Sequence, residues 1–339
     1  MSMDTSSGLG WLSDLGQMAE RVKAYISSLV EAGFSPAKTL YEASAHLFRS
    51  GGKMLRPYLV LKACEAVGGS WEKAVPAAAA VEILHTFTLI HDDIIDEDLV
   101  RRGQPSVHAR WGVPTAIIAG DFLFSKVFLA ASRGLRELEI SEETIARVVE
   151  TLADATGKIC EGQMLDMEFE GRGEVSEEEY LAMVERKTAY LFKASAEVGA
   201  LIGGADESMV GALGEYGRLA GIGFQMVDDV LGLIADERKL GKPVGSDLRE
   251  GKKTMPIIYA LSKADSVQRR EILEAAGSKS REQIAEAIDL IVRLGGIEYA
   301  KRKAKEYVEQ ALGKLKALPE TPARRSLETL ARILVEREF

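Results

Sequence analysis

Apolar residues recur at three-to-four spacing over long stretches of the chain. Two examples are SEEEYLAMVERKTAYLFKASAEVGALIGG from Ser176 and SREQIAEAIDLIVRLGGIEYAKRKAKEYVEQALGKL from Ser280. That spacing lines one face of a helix with apolar side chains. No set of segments alternates with the period of two that a sheet requires, so the predicted fold is all-α. Ser176 followed by Glu179 predicts a capped helix start, and Gly203-Gly204 after an apolar run predicts a helix stop. Pro36, Pro57, Pro76, Pro105, Pro114, Pro243, Pro256, Pro319 and Pro322 fall mostly where helices would be separated. With no Ser/Gly linker, low-complexity tract or tandem repeat, residues 1–339 are expected to form a single domain. It should hold roughly ten or more helices joined by short loops.

Hydrophobic residues make up 46% of the chain and charged residues 28%, the balance of a folded soluble protein. A formal net charge of −9 argues against nucleic acid or an anionic membrane as a general partner, because both attract basic surfaces. Any anionic ligand must then be held by local cation clusters. Glu82 and His85 interrupt one long apolar stretch, and Asp121 and Lys126 another, so no membrane span is expected. The amino terminus lacks the basic patch and apolar run of a signal peptide, which makes the cytoplasm the expected location. Cys64 and Cys160 lack metal-ligand spacing and are expected to be core residues of a reducing compartment, without a disulfide or zinc.

Two aspartate clusters carry the chemistry. In HTFTLIHDDIIDEDLVRRGQPS, Asp92, Asp93, Asp96, Glu97 and Asp98 crowd the end of an apolar helix. Asp92 and Asp96 are four apart, so their carboxylates project from one helix face and repel unless a cation bridges them. Hard oxygen ligands suit Mg²⁺. A solvated acidic helix end is a poor alternative, since negative charge there opposes the macrodipole. In GIGFQMVDDVLGLIADERKLGKPVGSDLREGKKTMP, Asp228 and Asp229 again end an apolar run, with Lys242, Lys252 and Lys253 close behind. Surface ion pairs are the plain alternative for that segment. Two such clusters fit a diphosphate neutralised by metal ions and cationic side chains. Glu82 and His85 also spell half of a di-iron ExxH pair, but no other histidine has the matching glutamate.

DDIID followed by RRG, and FQMVDD followed by GKPVGSD, resemble the two aspartate-rich motifs of the trans-prenyl diphosphate synthase family. GGKMLRP at 51–57, Lys187-Thr188, and Gln163 with Asp166 follow in family order, so the likeness spans most of the chain. Two positions depart from the usual pattern: Met54 replaces an arginine, and Gly232 replaces the third aspartate of the second motif, leaving Asp228 as its principal ligand. The second segment is similar to the archaeal branch.

The resemblance implies a helical bundle with a central cavity between two aspartate-rich helices, and a head-to-tail condensation of isopentenyl diphosphate with allylic diphosphates. Isopentenyl diphosphate would be held by Gly52, Lys53, Arg56, His85 and Arg102. The allylic diphosphate would bind through Mg²⁺, three ions with Mn²⁺ as a substitute, on Asp92, Asp96 and Asp228. Arg101, Lys187 and Lys242 would touch it directly, and Lys252 would assist. Thr188 and Gln225, with Lys187, would stabilise the allylic cation, while Asp93, Asp229, Gln163 and Asp166 would orient water or cations. Leu84, Phe87 and Thr88 share one helix flank and would form the floor of the product tunnel. Bulky Phe87 five places before the first aspartate, with small Thr88 four before, resembles enzymes that stop at C20, geranylgeranyl diphosphate. The alternatives are a farnesyl or mixed C15/C20 product, a terpene cyclase, and a non-catalytic subunit of a synthase. Homodimerisation is a family expectation.

Overall fold

The computed structural model describes residues 5–31, 35–234, 245–278 and 280–336, with the backbone alone for 5–10 and 246. Lys242 and Pro243 lie outside the described residues. Helices account for nearly all of the regular structure, as the spacing predicts. Contacts group the chain into two compact units, each built from discontinuous segments.

The first unit comprises Met1–Asp154, Ala194–Gly214 and Leu315–Thr329. Its helices include α1 (Thr5–Val30), α2 (Lys38–Arg49), α3 (Leu55–Ala66), α4 (Val75–Ile95), α5 (Val107–Trp111) and α6 (Val113–Leu129). Helix α4 packs against α1, α3 and α6. Ala77, Ala78, Ala79 and Ala80 are all fully buried, so its first turns approach their neighbours closely on every side. Such a helix has no solvated face, which is why its sequence is apolar all round. Trp71–Ile95 and Val113–Glu137 are long and apolar enough to pass a length-and-hydropathy test for bilayer spans, a test that core helices also pass. Most of the first is buried within the unit, so core packing accounts for its apolarity.

One feature departs from the all-helical expectation. Val100–Arg101 and Gln104–Pro105 pair as a short antiparallel hairpin, with Val100 opposite Pro105. Its two-residue turn, Arg102 (φ 53°) and Gly103 (φ 72°), has the paired positive φ of a type I′ hairpin turn. A strand two residues long leaves no alternation to detect in sequence.

The second unit comprises Ala155–Lys193, Glu215–Lys314 and Leu330–Phe339. Helix α8 (Glu142–Glu170), α10 (Tyr190–Ile202) and α11 (Glu207–Ile234) contribute residues to both units. Between α9 (Glu177–Val184) and α10 runs a π-helical turn, Glu185–Ala189. The core gathers Val184, Met226, Val230, Leu233, Met255, Ile291 and Ala300, among others. The predicted caps are present: Ser176 and Glu179 exchange side-chain and backbone bonds as a capping box. Ala205 N donates to Ala200 O beyond the end of α10, next to left-handed Gly204. Pro76, Pro114 and Pro256 stand in first helical turns, where no amide donor is needed. Cys64 is buried as expected, but Cys160 is exposed. In α8 the buried stripe runs through Leu152, Ala155, Ile159, Gly162 and Asp166, and Cys160 falls off it.

Candidate active site

In the first unit, α4 ends at Ile95 with Asp96 as its C-cap, whose amide donates to Asp92 O at 2.8 Å. Asp92 and Asp96 are therefore one turn apart at the helix end, both half-buried, while Asp93 on the next face is fully buried. Arg101 closes over that end. Its Nε donates to Asp93 Oδ1 at 2.6 Å and its Nη2 to Asp98 Oδ2 at 3.1 Å. A buried carboxylate is tolerable only with a partner, and Arg101 is that partner. The pairing fixes the hairpin arginine beside Asp92 and Asp96.

Arg56 Nη1 donates to His85 Nε2 at 3.2 Å. Burial, with Arg56, Arg102 and Arg101 nearby, holds the His85 imidazole well below its usual pKa, so the ring is neutral and its Nε2 accepts. Arg102 Nη1 donates to Leu47 O at 3.2 Å and to Gly51 O. Its guanidinium lies over Gly52, where a Cβ would come within 3.0 Å of Nη1. Glu82, one turn before His85, is 3% exposed. Burial pushes its carboxyl up to about 7 against the opposing pull of Arg102 and Arg56. In the sequence Glu82 interrupts an apolar run and spells half of an incomplete metal pair; a glutamate inside such a run is the signal of a buried carboxyl.

Leu84 is fully buried, and Thr88 donates its hydroxyl to His85 O at 2.8 Å. The Phe87 ring lies 5.2 Å from Phe124 of α6 and 4.8 Å from His91, centroid to centroid.

In the second unit, a cavity of about 110 Å³ is lined by Asp166, Lys187, Thr188, Gln225, Asp229, Asp247, Lys252 and others. Lys187 and Thr188 reach it from the π-helical turn, a bulge type that re-aims side chains and is frequent at functional sites. Lys187 Nζ donates to Asp166 Oδ2 at 2.5 Å, and Lys252 pairs with Glu250 at 2.7 Å. Thr188 Oγ1 donates to Gln225 Oε1 at 2.8 Å, and Gln225 Nε2 donates to Asp229 Oδ1 at 2.9 Å. Tyr180 completes the chain: its hydroxyl donates to Asp229 Oδ2 at 2.5 Å, and the Met255 amide approaches the same oxygen at 3.5 Å. Burial raises the Asp229 carboxyl to about 6, with the Gln225 and Tyr180 bonds opposing. Tyr180 was not foreseen. Tyr180 shares its face with Met183 and Val184, and a buried tyrosine needs a partner for its hydroxyl, which is the signal it carried. Neither amide atom of Gln163, one turn before Asp166 on α8, finds a hydrogen-bond partner among the described residues.

Asp228 is half-buried on α11, one turn before Gly232. Gly245 N donates to Gly232 O at 3.1 Å. That contact sets the Asp247 carboxylate against Gly232, 2.4 Å from the place a Cβ would occupy. The second cluster therefore gains from Asp247 a carboxylate beside the position where the usual motif carries its third aspartate.

Among the described residues, no group of three or more potential ligands closes on one point by itself. Mg²⁺ does not require one, because it keeps waters and takes one or two carboxylates together with phosphate oxygens. Asp92 with Asp96 in one unit, and Asp228 in the other, fit that mode of binding. A cavity lined by Lys187, Lys252 and Lys253 fits a hydrated anionic ligand, and the orphaned amide of Gln163 lies one turn before Asp166 of that lining.

Residues 37–291 match the profile of the polyprenyl synthetase family. A geranylgeranyl diphosphate synthase from Saccharolobus solfataricus is 43% identical, over 95% of this chain and 96% of its own. The structure resembles that of a geranylgeranyl pyrophosphate synthetase from Pyrococcus horikoshii, with TM-score 0.91 and 44% identity over 97% of this chain and 99% of that one. It also resembles a polyprenyl synthase from Caulobacter crescentus in complex with calcium and isoprenyl diphosphate, with TM-score 0.86 and 32% identity over 96% and 97% of the two chains.

Proposed function

Because the chain belongs to the polyprenyl synthetase family, we propose that it condenses isopentenyl diphosphate head to tail with allylic diphosphates to make an all-trans prenyl diphosphate, geranylgeranyl diphosphate. The observation that carries this reading is the end of α4. There two carboxylates one turn apart stand beside an arginine held by the buried Asp93. That arrangement offers a diphosphate both metal-mediated and direct contacts.

Residues 1–339 act as one catalytic domain in this reading, and the family match supports it by running through segments of both units. Asp92, Asp96 and Asp228 hold Mg²⁺, three ions in all, with Mn²⁺ able to replace it. The bound metal supplies charge neutralisation on the departing diphosphate. Arg101, Lys187 and Lys242 hold the allylic diphosphate oxygens, with Lys252 assisting, and these positive charges favour the ionised leaving group over the intact ester. Lys187 is steadied by Asp166, and Asp229 holds Gln225 and through it Thr188, so the oxygens beside the allylic cation are set before ionisation. Gly52, Lys53, Arg56, His85 and Arg102 place isopentenyl diphosphate with its double bond toward that cation. His85, neutral, accepts from Arg56 and fixes the guanidinium's plane. The proton lost after C–C bond formation passes to the released diphosphate.

A homodimer and a cytoplasmic location belong to the same reading. Val113, Ile117 and Ile118 of α6 are exposed, an apolar face that a second copy would cover.

The test incubates the protein with Mg²⁺, labelled isopentenyl diphosphate and, in turn, dimethylallyl, geranyl and farnesyl diphosphate, and then sizes the dephosphorylated products. Metal-dependent C20 is the expected product. Stopping at C15 would keep the chemistry and remove the chain-length assignment, and no incorporation from any starter would remove the proposed reaction.

A further inference from the structure

A second polar cavity lies wholly within the first unit, apart from the residues assigned above except for Arg102. Its volume is about 620 Å³, and Glu42, His46, Arg49, Ser50, Arg102, Gln104, Arg110 and Trp111 line it. Three guanidiniums reach it from three elements: Arg49 ends α2, Arg102 sits in the hairpin turn, and Arg110 lies in α5. Glu42 is the one acidic residue in the lining, in a chain whose net charge is −9. So strong a local excess of positive charge focuses an anion-attracting field.

The walls are built and not merely crowded. His46 Nε2 donates to Pro105 O at 2.8 Å, tying the hairpin to α2. The same ring packs edge-on against Trp111 at 5.1 Å. Trp111 in turn carries the Arg110 guanidinium 4.5 Å above its own ring, which orders that cation before any ligand arrives. Both hydrogen bonds of Arg102 use Nη1, so its Nη2 edge is not spent on them. Among the described residues, the acid paired with Arg49 is Glu31, at 3.9 Å and with both side chains exposed, a contact of little strength. Trp111 is the sole large apolar side chain in the lining, so the groove suits a diphosphate head group and not a prenyl tail.

We propose that Arg49, Arg102 and Arg110 form an outer diphosphate-binding groove that shares Arg102 with the isopentenyl diphosphate pocket. Its occupant is the diphosphate of incoming isopentenyl diphosphate or the inorganic pyrophosphate released by the reaction. The role in turnover rests on the proposed function; the anion binding does not. Arg102, whose guanidinium lies over Gly52 and also lines the groove, is the residue the two places have in common.

The test uses the full chain and the paired substitution Arg49→Gln/Arg110→Gln. Calorimetry with inorganic pyrophosphate in EDTA silences the metal-dependent site, and the isopentenyl diphosphate pocket is common to parent and variant, so the difference between the two reads the groove. The expected result is a loss of affinity of roughly tenfold and a flatter salt dependence. Arg49→Lys/Arg110→Lys, which keeps the charge, retains most of the binding, and it decides the matter if the glutamine pair lowers the melting temperature. In steady-state assays, a matching rise in KM for isopentenyl diphosphate, with KM for the allylic substrate moved less than twofold, identifies incoming substrate as the occupant. Weaker inhibition by pyrophosphate with KM unmoved identifies the released product. Unchanged pyrophosphate affinity in the glutamine pair overturns the groove. A protein that binds pyrophosphate through these arginines yet makes no prenyl product keeps the groove and overturns the proposed reaction.

Discussion

The carboxylate of Asp247 stands where a side chain on residue 232 would have to go, 2.4 Å from the Cβ that Gly232 lacks. Glycine is not a gap in the second aspartate motif but the condition for Asp247 to reach it. The two residues exchange a role between α11 and the short helix Ser246–Arg249, and the Gly245–Gly232 backbone bond ties the start of that helix to Gly232.

Gly232→Asp is therefore expected to damage the site, not restore the usual motif, because it sets two carboxylates into one space. Like charges that close disfavour joint ionisation and force the loop away. The variant should need roughly tenfold more Mg²⁺ for half-maximal activity, a shift of about 1.4 kcal/mol. Adding Asp247→Gly should bring the requirement back toward the parent value. Titrating Mg²⁺ against activity, with Mn²⁺ binding followed by electron paramagnetic resonance in the presence of pyrophosphate, checks both. A single Gly232→Asp variant with the parent's metal requirement would show that the two positions do not compete.

Tyr180→Phe removes one of the donors to a buried carboxyl while keeping the ring's volume. Leaving Asp229 short of a partner should cost about 1–3 kcal/mol of stability. Gln225 and Thr188 hang on the same carboxyl, so kcat should fall more than KM for either substrate. Thermal melts and steady-state kinetics together test this. A loss of stability with kcat intact would confine Tyr180 to folding.

What could be read from sequence was the part whose chemistry demands particular residue types at particular spacing. Asp92 and Asp96 are one turn apart because four residues make a turn, and Ser176 caps its helix because its spacing to Glu179 permits nothing else as well. The unforeseen parts depend on contacts between segments far apart in the chain. The π-helical turn that carries Lys187 and Thr188 has the same apolar spacing as an ordinary helix to within one residue. Asp247 meets Gly232 across the intervening chain, and no local pattern announces it. Gly232, one of six glycines in α11, stands where the usual motif carries an aspartate, and that departure was the hint that something approaches there.

Glu82 gives the stability of the protein a pH dependence of defined sign. Its folded pKa is raised to about 7, burial being the chief cause, so the folded state keeps its proton while the unfolded chain releases it. Stability from this group is whole below the ordinary glutamate range, near 4.3, and is lost as pH rises to about 7. Glu82→Gln should abolish that slope, raising the melting temperature relative to the parent by a few degrees near neutral pH and by less near pH 5, on the usual scale of about 2–4 °C per kcal/mol. Parallel melting curves across that pH range would sink the titration argument.

Phe87 is both the floor candidate for the growing chain and a packing link between α4 and α6, through its ring contact with Phe124. These roles make different demands on a substitution. Phe87→Ala should lengthen the product beyond C20 if the ring blocks the tunnel, and should also cost stability, though less than the ~3–5 kcal/mol of a fully buried phenylalanine because Phe87 is half-buried. Phe124→Ala removes the ring that braces Phe87 from behind but leaves the floor residue in place. It should give a mixture in which longer products are a minority. Sizing the products of both variants against the parent separates the cases. Lengthening in Phe87→Ala alone assigns the floor to that ring. Equal lengthening in both makes the aromatic pair the stop. Unchanged C20 in both would leave Phe87 as core and move the floor deeper, toward Leu84 and the buried end of α4.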